Sequence, residues 1–180
     1  MIDEKSGAQV TISCIEHSVH EGEAYMLSLS SALDAFDIDA PLSFLFTTPN
    51  TPIRCHMYVH GSANTAAIIQ VYEDTGVATE FDVTGGTSIT PKNRNRNSSN
   101  VATAIATHTP SITKAEAVAL LHSKYAAKSG IEESFPVLLK QNTKYLFRFL
   151  SSANDNEGSL NLSWCEKADR AFAGVVGSVE

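Results

Sequence analysis

Tyr145-Leu146-Phe147-Arg148-Phe149-Leu150 is the stretch on which the fold class turns. Successive residues of a strand point to opposite faces, so Tyr145, Phe147 and Phe149 share one face while Leu146 and Leu150 flank Arg148 on the other. A strand apolar on both faces is one covered on both sides. Lys140-Gln141-Asn142-Thr143 before it and Asn154-Asp155-Asn156-Glu157-Gly158 after it are turn-forming segments and read as hairpin connections. The last three strands are therefore expected to form an antiparallel meander.

Working outward, strand-like runs recur at Gln9 to Ile15, Ala24 to Leu29, Leu42 to Thr47, Ile53 to His60, Ala66 to Glu73 and Val101 to Thr107. Near the end, Phe135 to Leu139 and Ser159 to Trp164 flank Lys144 to Leu150. Nine short strands between turn signals predict a mainly β chain, an antiparallel β-sandwich or jelly roll. One segment breaks the pattern. Thr113 with Glu116 makes a capping box, Val118, Leu121 and Tyr125 follow at helical spacing, Lys128 stands near the end and Gly130 is a stop. This predicts one helix near residues 114–129, with a strand at Ala117 to Leu121 and a following loop as the alternative. Gly85 to Asn100 reads as a long loop within a single sandwich domain spanning residues 1–167. Residues 168–180 form a C-terminal tail, either a docking arm or a frayed end.

The 180 residues are 43% hydrophobic, enough to bury roughly 70% of the unfolded surface without disulfide or metal. Thirteen Lys and Arg against twenty Asp and Glu give a net charge of −7, which argues against a nucleic-acid partner because phosphate binding needs a dense cationic face. Cys14, Cys55 and Cys165 stand too far apart for a zinc or redox spacing and read as reduced, mostly buried thiols. The start, Met1-Ile2-Asp3-Glu4-Lys5, is not that of a signal peptide, and no apolar stretch approaches the roughly 20 residues of a membrane span.

Candidate chemistry is sparse. His17 and His20 with Glu16, Glu21 and Glu23 include metal-ligand types, but in an extended chain the two histidines point apart and the segment reads as a solvated polar loop. His56 and His60 share one strand face about 13 Å apart, too far to hold one ion. Asp34, Asp37 and Asp39 lack the Gly and terminal Glu of a calcium loop and read as a turn whose carboxylates cap backbone amides. No nucleophile elbow, phosphate-cradling Gly-rich loop or His-Glu-x-x-His motif is present. The chain is thus expected to be non-enzymatic, with no catalytic residue, metal or cofactor.

The informative segment is Pro91-Lys92-Asn93-Arg94-Asn95-Arg96-Asn97-Ser98-Ser99-Asn100, where two arginines alternate with three asparagines in an acidic chain. In an extended backbone Arg94 and Arg96 fall on one side, presenting planar forks to carboxylates, while Asn93, Asn95 and Asn97 both donate and accept hydrogen bonds. These five residues are the candidate partner-binding site; the alternative is a solvated loop.

Ile15 to Tyr25, Phe44 to Thr51, Asn93 to Ser98, Leu138 to Arg148 and Ser163 to Glu166 occur in that order between about residues 9 and 167. As an ordered set they resemble the small head-decoration (cement) proteins of tailed phages. The chain departs from that pattern at Lys114 to Ser129, Ala-rich where a Gly-containing strand region is expected. The resemblance implies a β-sandwich or jelly roll on the outside of the assembled capsid, clamping neighbouring major capsid subunits. It also implies a virion location, with the bacterial host cytoplasm as the site of assembly and no membrane partner. Capsid symmetry axes and exposed sandwich edges favour a homotrimer, then a dimer. A receptor- or carbohydrate-binding jelly roll of a tail spike or fibre is the alternative; one Trp and five Tyr supply few stacking platforms for it.

Overall fold

A computed structural model describes residues 14–50, 52–126 and 133–168. In chain order it contains helix α1 (Cys14–Glu21), β1 (Ala24–Ser30), β2 (Leu42–Thr47), β3 (Ile53–Ala63), β4 (Ala67–Glu73), β5 (Phe81–Thr84), β6 (Thr87–Ile89) and β7 (Lys92–Asn93). These are followed by β8 (Ile105–His108), β9 (Ser111–Ala115), a 3-10 turn (Ala117–Ala119), β10 (Leu120–Ala126), β11 (Glu133–Leu138), β12 (Lys144–Ser151) and β13 (Gly158–Ala168). One antiparallel sheet runs β11-β3-β13-β1-β7 and the other β10-β4-β12-β2-β8-β6; β5 and β9 pair as a separate ribbon. The chain is a mainly β, antiparallel sandwich.

β12 shows why. Tyr145, Phe147 and Phe149 enter the core between the sheets, beside Phe44, Phe46, Ile69 and Val71 of their own sheet and opposite Leu27, Met57, Leu160, Leu162 and Trp164 of the other. Phe46 meets Trp164 edge-on at 5.0 Å, and Phe36 stacks on Phe149 at 5.0 Å. On the outer side Leu146 is buried with Leu45, Tyr72, Phe81, Val83 and Ala119, beneath the β5–β9 ribbon. The strand is covered on both faces where it is apolar on both, and Arg148 and Leu150 beyond the ribbon are only half-buried.

The expected meander does not form. β11 pairs with β3, β12 with β2 and β4, and β13 with β3 and β1, so both turns carry the chain from one sheet to the other. A doubly buried strand needs a neighbour on each edge, and β2 and β4 already fill both edges of β12. The turn at 140–143 is locked to Thr48, whose one hydroxyl proton is shared between the carbonyls of Lys140 (2.7 Å) and Thr143 (3.1 Å) and whose oxygen accepts from the Thr143 amide (2.9 Å). Asn142 takes the left-handed φ of 48° that such a turn requires.

The helix expected at 114–129 is also overturned. Its described residues form the end of β9, the 3-10 turn and β10, which pairs with β4 from Leu120↔Tyr72 to Ala126↔Ala67. Val118, Leu121 and Tyr125, the residues of the helical pattern, are 66%, 49% and 57% exposed. Edge pairing to β4 outweighs a helix that would have had nothing to bury its stripe against. Conversely, Cys14 and Ile15, expected at the end of a strand, begin α1; Gln9 to Ser13 lie outside the described residues. Gly22 stops this helix at φ 72°. Its N–H bonds the Val19 carbonyl (3.1 Å) and that of Glu23 the Ser18 carbonyl (2.9 Å), the two bonds of a Schellman ending. The stretch Gly85 to Asn100 is not loop throughout, since it contributes β6 and β7 to the two sheets.

Glu166, on β13, is 7% exposed and accepts four hydrogen bonds. They come from the Thr103 and Ala104 amides (2.9 and 3.0 Å), the Thr103 hydroxyl (2.5 Å) and the Trp164 indole (3.1 Å). This carboxylate staples the approach to β8 onto the opposite sheet.

Burial pushes both the Cys55 thiol and the Tyr145 phenol well above their ordinary values of 9.0 and 10.0. Folding thus holds two acids neutral: their contribution is complete below the unfolded values and is lost as pH rises toward the folded ones. Stability should fall above about pH 9, by up to ~1.4 kcal/mol per pH unit for each group that ionises only on unfolding. Urea titrations at pH 8 and pH 10.5 check this; equal midpoints would contradict it.

Candidate functional site

The arginine loop begins where β7 pairs with β1, Asn93 opposite Tyr25 and Lys92 opposite Met26. The Arg94 amide then bonds the Ala24 carbonyl at 2.8 Å, and the backbone turns. Asn93 Oδ1 accepts from the Asn95 amide (2.8 Å), Asn95 Oδ1 from the Asn97 amide (3.1 Å) and Ser98 Oγ from the Asn100 amide (3.1 Å). The segment is therefore a series of side-chain-closed turns.

The amide groups of the same asparagines face α1. Asn93 Nδ2 donates to the carbonyls of Gly22 (2.8 Å) and Asn100 (3.0 Å), Asn95 Nδ2 to that of His20 (3.1 Å), and Asn100 Nδ2 to that of Gly22 (3.2 Å). Carbonyls at a helix C-terminus lack intrahelical donors, and this loop supplies them. Glycine is needed at position 22 twice over, because a Cβ there would also lie 2.2 Å from Ser98 Oγ. On the far side Lys167 hydrogen-bonds the carboxylates of Glu21 and Glu23. The Lys167 hydrogen bond holds Glu21 below its ordinary 4.5. Burial draws Lys167 down, but the two carboxylates outweigh it and leave the ammonium raised.

The expectation for the site is corrected in one respect. Asn93 does not present its amide to a partner, because both its amide hydrogens are donated within the chain, while Asn95 donates one amide hydrogen to the His20 carbonyl and Asn97 is exposed. The two arginines do not share a side through extended alternation either; the turns at 94–97 bring them together. Arg94 and Arg96 are exposed and, with Lys92, Asn93 and Met26, line an open groove of about 390 Å³. Arg94 also borders the outer sheet face beside His56, Tyr58 and Ser163. Among the described residues, no carboxylate lies within 4.0 Å of Lys92, Arg94 or Arg96, whereas Lys114, Lys140 and Lys167 are each paired. Lys92 continues the alternation of Arg94 and Arg96, a signal available in sequence. Met26, 43% exposed, joins the site only through strand register.

At the other end of β1 lies an acidic loop. Phe36 is fully buried and anchors it, with its amide on the Asn156 carbonyl at 2.9 Å. Asp37 accepts from the Asp155 amide (2.9 Å), so this carboxylate caps a backbone amide, and the Ile38 amide bonds Asn154 Oδ1 (3.4 Å). Leu33 and Ile38 are 76% and 51% exposed at its tip, beside Asp34 and Asp39.

His17 sits 3.1 Å from Glu21 on one face of α1, not in a polar loop. Among the described residues, no three His, Cys, Asp or Glu side chains are grouped as metal ligands. Cys55 and Cys165 are buried and joined in no disulfide. No helix among the described residues is long and apolar enough to cross a membrane. No family model, curated protein or solved structure matches the chain.

Proposed function

We propose that the protein is a non-enzymatic capsid-decoration protein of a tailed phage. It binds the outside of the assembled head and clamps neighbouring major capsid subunits, with Arg94 and Arg96 in its contact surface. The observation that carries this reading is the loop itself. Asn93 and Asn95 spend side-chain hydrogen bonds on the end of α1 and on the loop's own turns, so two guanidiniums are offered outward from a backbone already ordered, and little backbone entropy remains to be lost on contact. The ordered phrases between about residues 9 and 167 supply the phage setting.

The tail-spike or fibre alternative has weaker support. A large open groove, about 600 Å³, is lined by Ser30, Ser31, Ser62, Ser159, Asn64 and Glu157 among others, with no aromatic ring in its lining on which a sugar would stack. Quantifying the protein in purified virions tests the proposal. Copies approaching those of the major capsid protein are expected; a handful per particle would move the protein to the tail, and its absence from virions would overturn the reading.

A further inference from the structure

Two surfaces of this chain complement each other and cannot meet within one copy. The basic groove of Lys92, Arg94 and Arg96 adjoins the start of β1, where Met26 faces Lys92, while the acidic loop follows its end at Ser30. Four residues of strand, about 13 Å, separate Met26 from Ser30 before the loop even begins. Each surface carries charge that its own copy leaves uncompensated. Among the described residues, no Lys or Arg lies within 4.0 Å of Asp34, Asp37, Asp39 or Asp155, just as no carboxylate approaches the three cations. Each also pairs its charges with exposed apolar groups, Met26 in the groove and Leu33 with Ile38 on the loop.

We propose that the groove receives the acidic loop of a second copy of this chain, so that the protein assembles head to tail. This deepens the reading of Arg94 and Arg96 as a contact surface and rests on it, assigning the carboxylates they grip to residues 34–39 of a neighbour. Guanidinium forks match carboxylates in paired hydrogen bonds, and the apolar tip shields them from water over Met26. Both partners are held before they meet, the groove by the asparagine turns and the loop by Phe36 and Asp37. Two different patches in contact make a heterologous interface, which closes into a ring where the rotation allows it. A small ring of this kind accommodates the homotrimer favoured above.

Charge exchange tests it on the full chain by sedimentation velocity. R94E with R96E leaves two acidic surfaces, and D34K with D39K leaves two basic ones; each variant alone should associate at least about tenfold more weakly than the original. An equimolar mixture should re-associate into mixed pairs and even-numbered assemblies, because the acidic loop of the first then meets the arginines of the second and the lysine loop of the second meets the glutamates of the first. A three-membered ring of the two variants would keep one like-charged contact. Asp34 has a left-handed φ of 52°, so D39K alone serves as the loop variant if the double change impairs folding. The inference is overturned if the original chain is monomeric at high micromolar concentration, if the exchanges leave oligomer mass unchanged, or if folded variants stay apart on mixing. A monomer that still decorates heads would sink head-to-tail assembly and leave decoration standing. Rescue on mixing by a protein absent from virions would do the reverse.

Discussion

Glu166→Ala is expected to lower stability by about 2 to 4 kcal/mol, because the buried Ala104 amide and Trp164 indole lose their acceptor at a cost of about 1 to 3 kcal/mol each, whereas the exposed Thr103 can turn to water. The carboxylate accepts from two backbone amides, a hydroxyl and an indole, and alanine would leave all four donors without their acceptor in a region that is 7% exposed at position 166. Glu166→Gln keeps the shape but turns an N–H₂ group toward donors, so it should fall between the two. For a chain of this length each kcal/mol moves the melting temperature by roughly 2 to 4 °C, which puts the alanine variant about 10 °C below the original. Trp164 is the protein's single tryptophan and bonds this carboxylate, so its fluorescence follows the transition directly. A Glu166→Ala midpoint within half a kcal/mol of the original would mean that water replaces the carboxylate at little cost, and that the staple is dispensable.

Nothing near position 166 announces this role. Its partners Thr103 and Ala104 lie 63 and 62 residues away, and a lone Glu at a strand end is locally indistinguishable from a solvated one. What is legible in sequence is what strand periodicity encodes. Leu42 to Thr47 is a strand with the bounds its apolar run predicts, and the two-sided apolar character of Tyr145 to Leu150 correctly implies cover on both faces. Pairing partners are not encoded so locally. Short polar turns at 140–143 and 152–157 look the same whether they return a strand to its own sheet or hand it to the opposite one, and here both cross. The segment from Thr113 satisfies the local rules for a helix, yet β4 offers a bare edge and that tertiary pairing prevails. The same division holds at the site. Two arginines in an acidic chain stand out from composition, whereas the work of the alternating asparagines depends on α1, more than seventy residues earlier, being folded against them.

That division of labour sets the expected result of changing the loop. Arg94→Ala with Arg96→Ala removes two exposed side chains whose one hydrogen bond to the described residues is a long one, from Arg96 Nη1 to the Asn93 carbonyl at 3.4 Å. Solvent-exposed charges of this kind contribute well under about 1 kcal/mol to folding, so the melting temperature should barely move. At an interface the same groups are desolvated, and truncating one costs about 2 to 5 kcal/mol, so self-association or capsid binding should weaken by about tenfold or more. Asn93→Ala should behave in the opposite sense. It removes one donated bond that ties the loop to Gly22 at the end of α1, together with one donated to Asn100 and one accepted from Asn95 within the loop, and should cost about 1 to 2 kcal/mol of stability while leaving both arginines in place. Unfolding curves together with oligomer mass and capsid occupancy, measured on both variants, separate a contact surface from a solvated connection. If the double arginine variant keeps both its oligomer mass and its capsid occupancy, Arg94 and Arg96 are hydrated charges on a well-braced turn, and the clamp must be sought on another face.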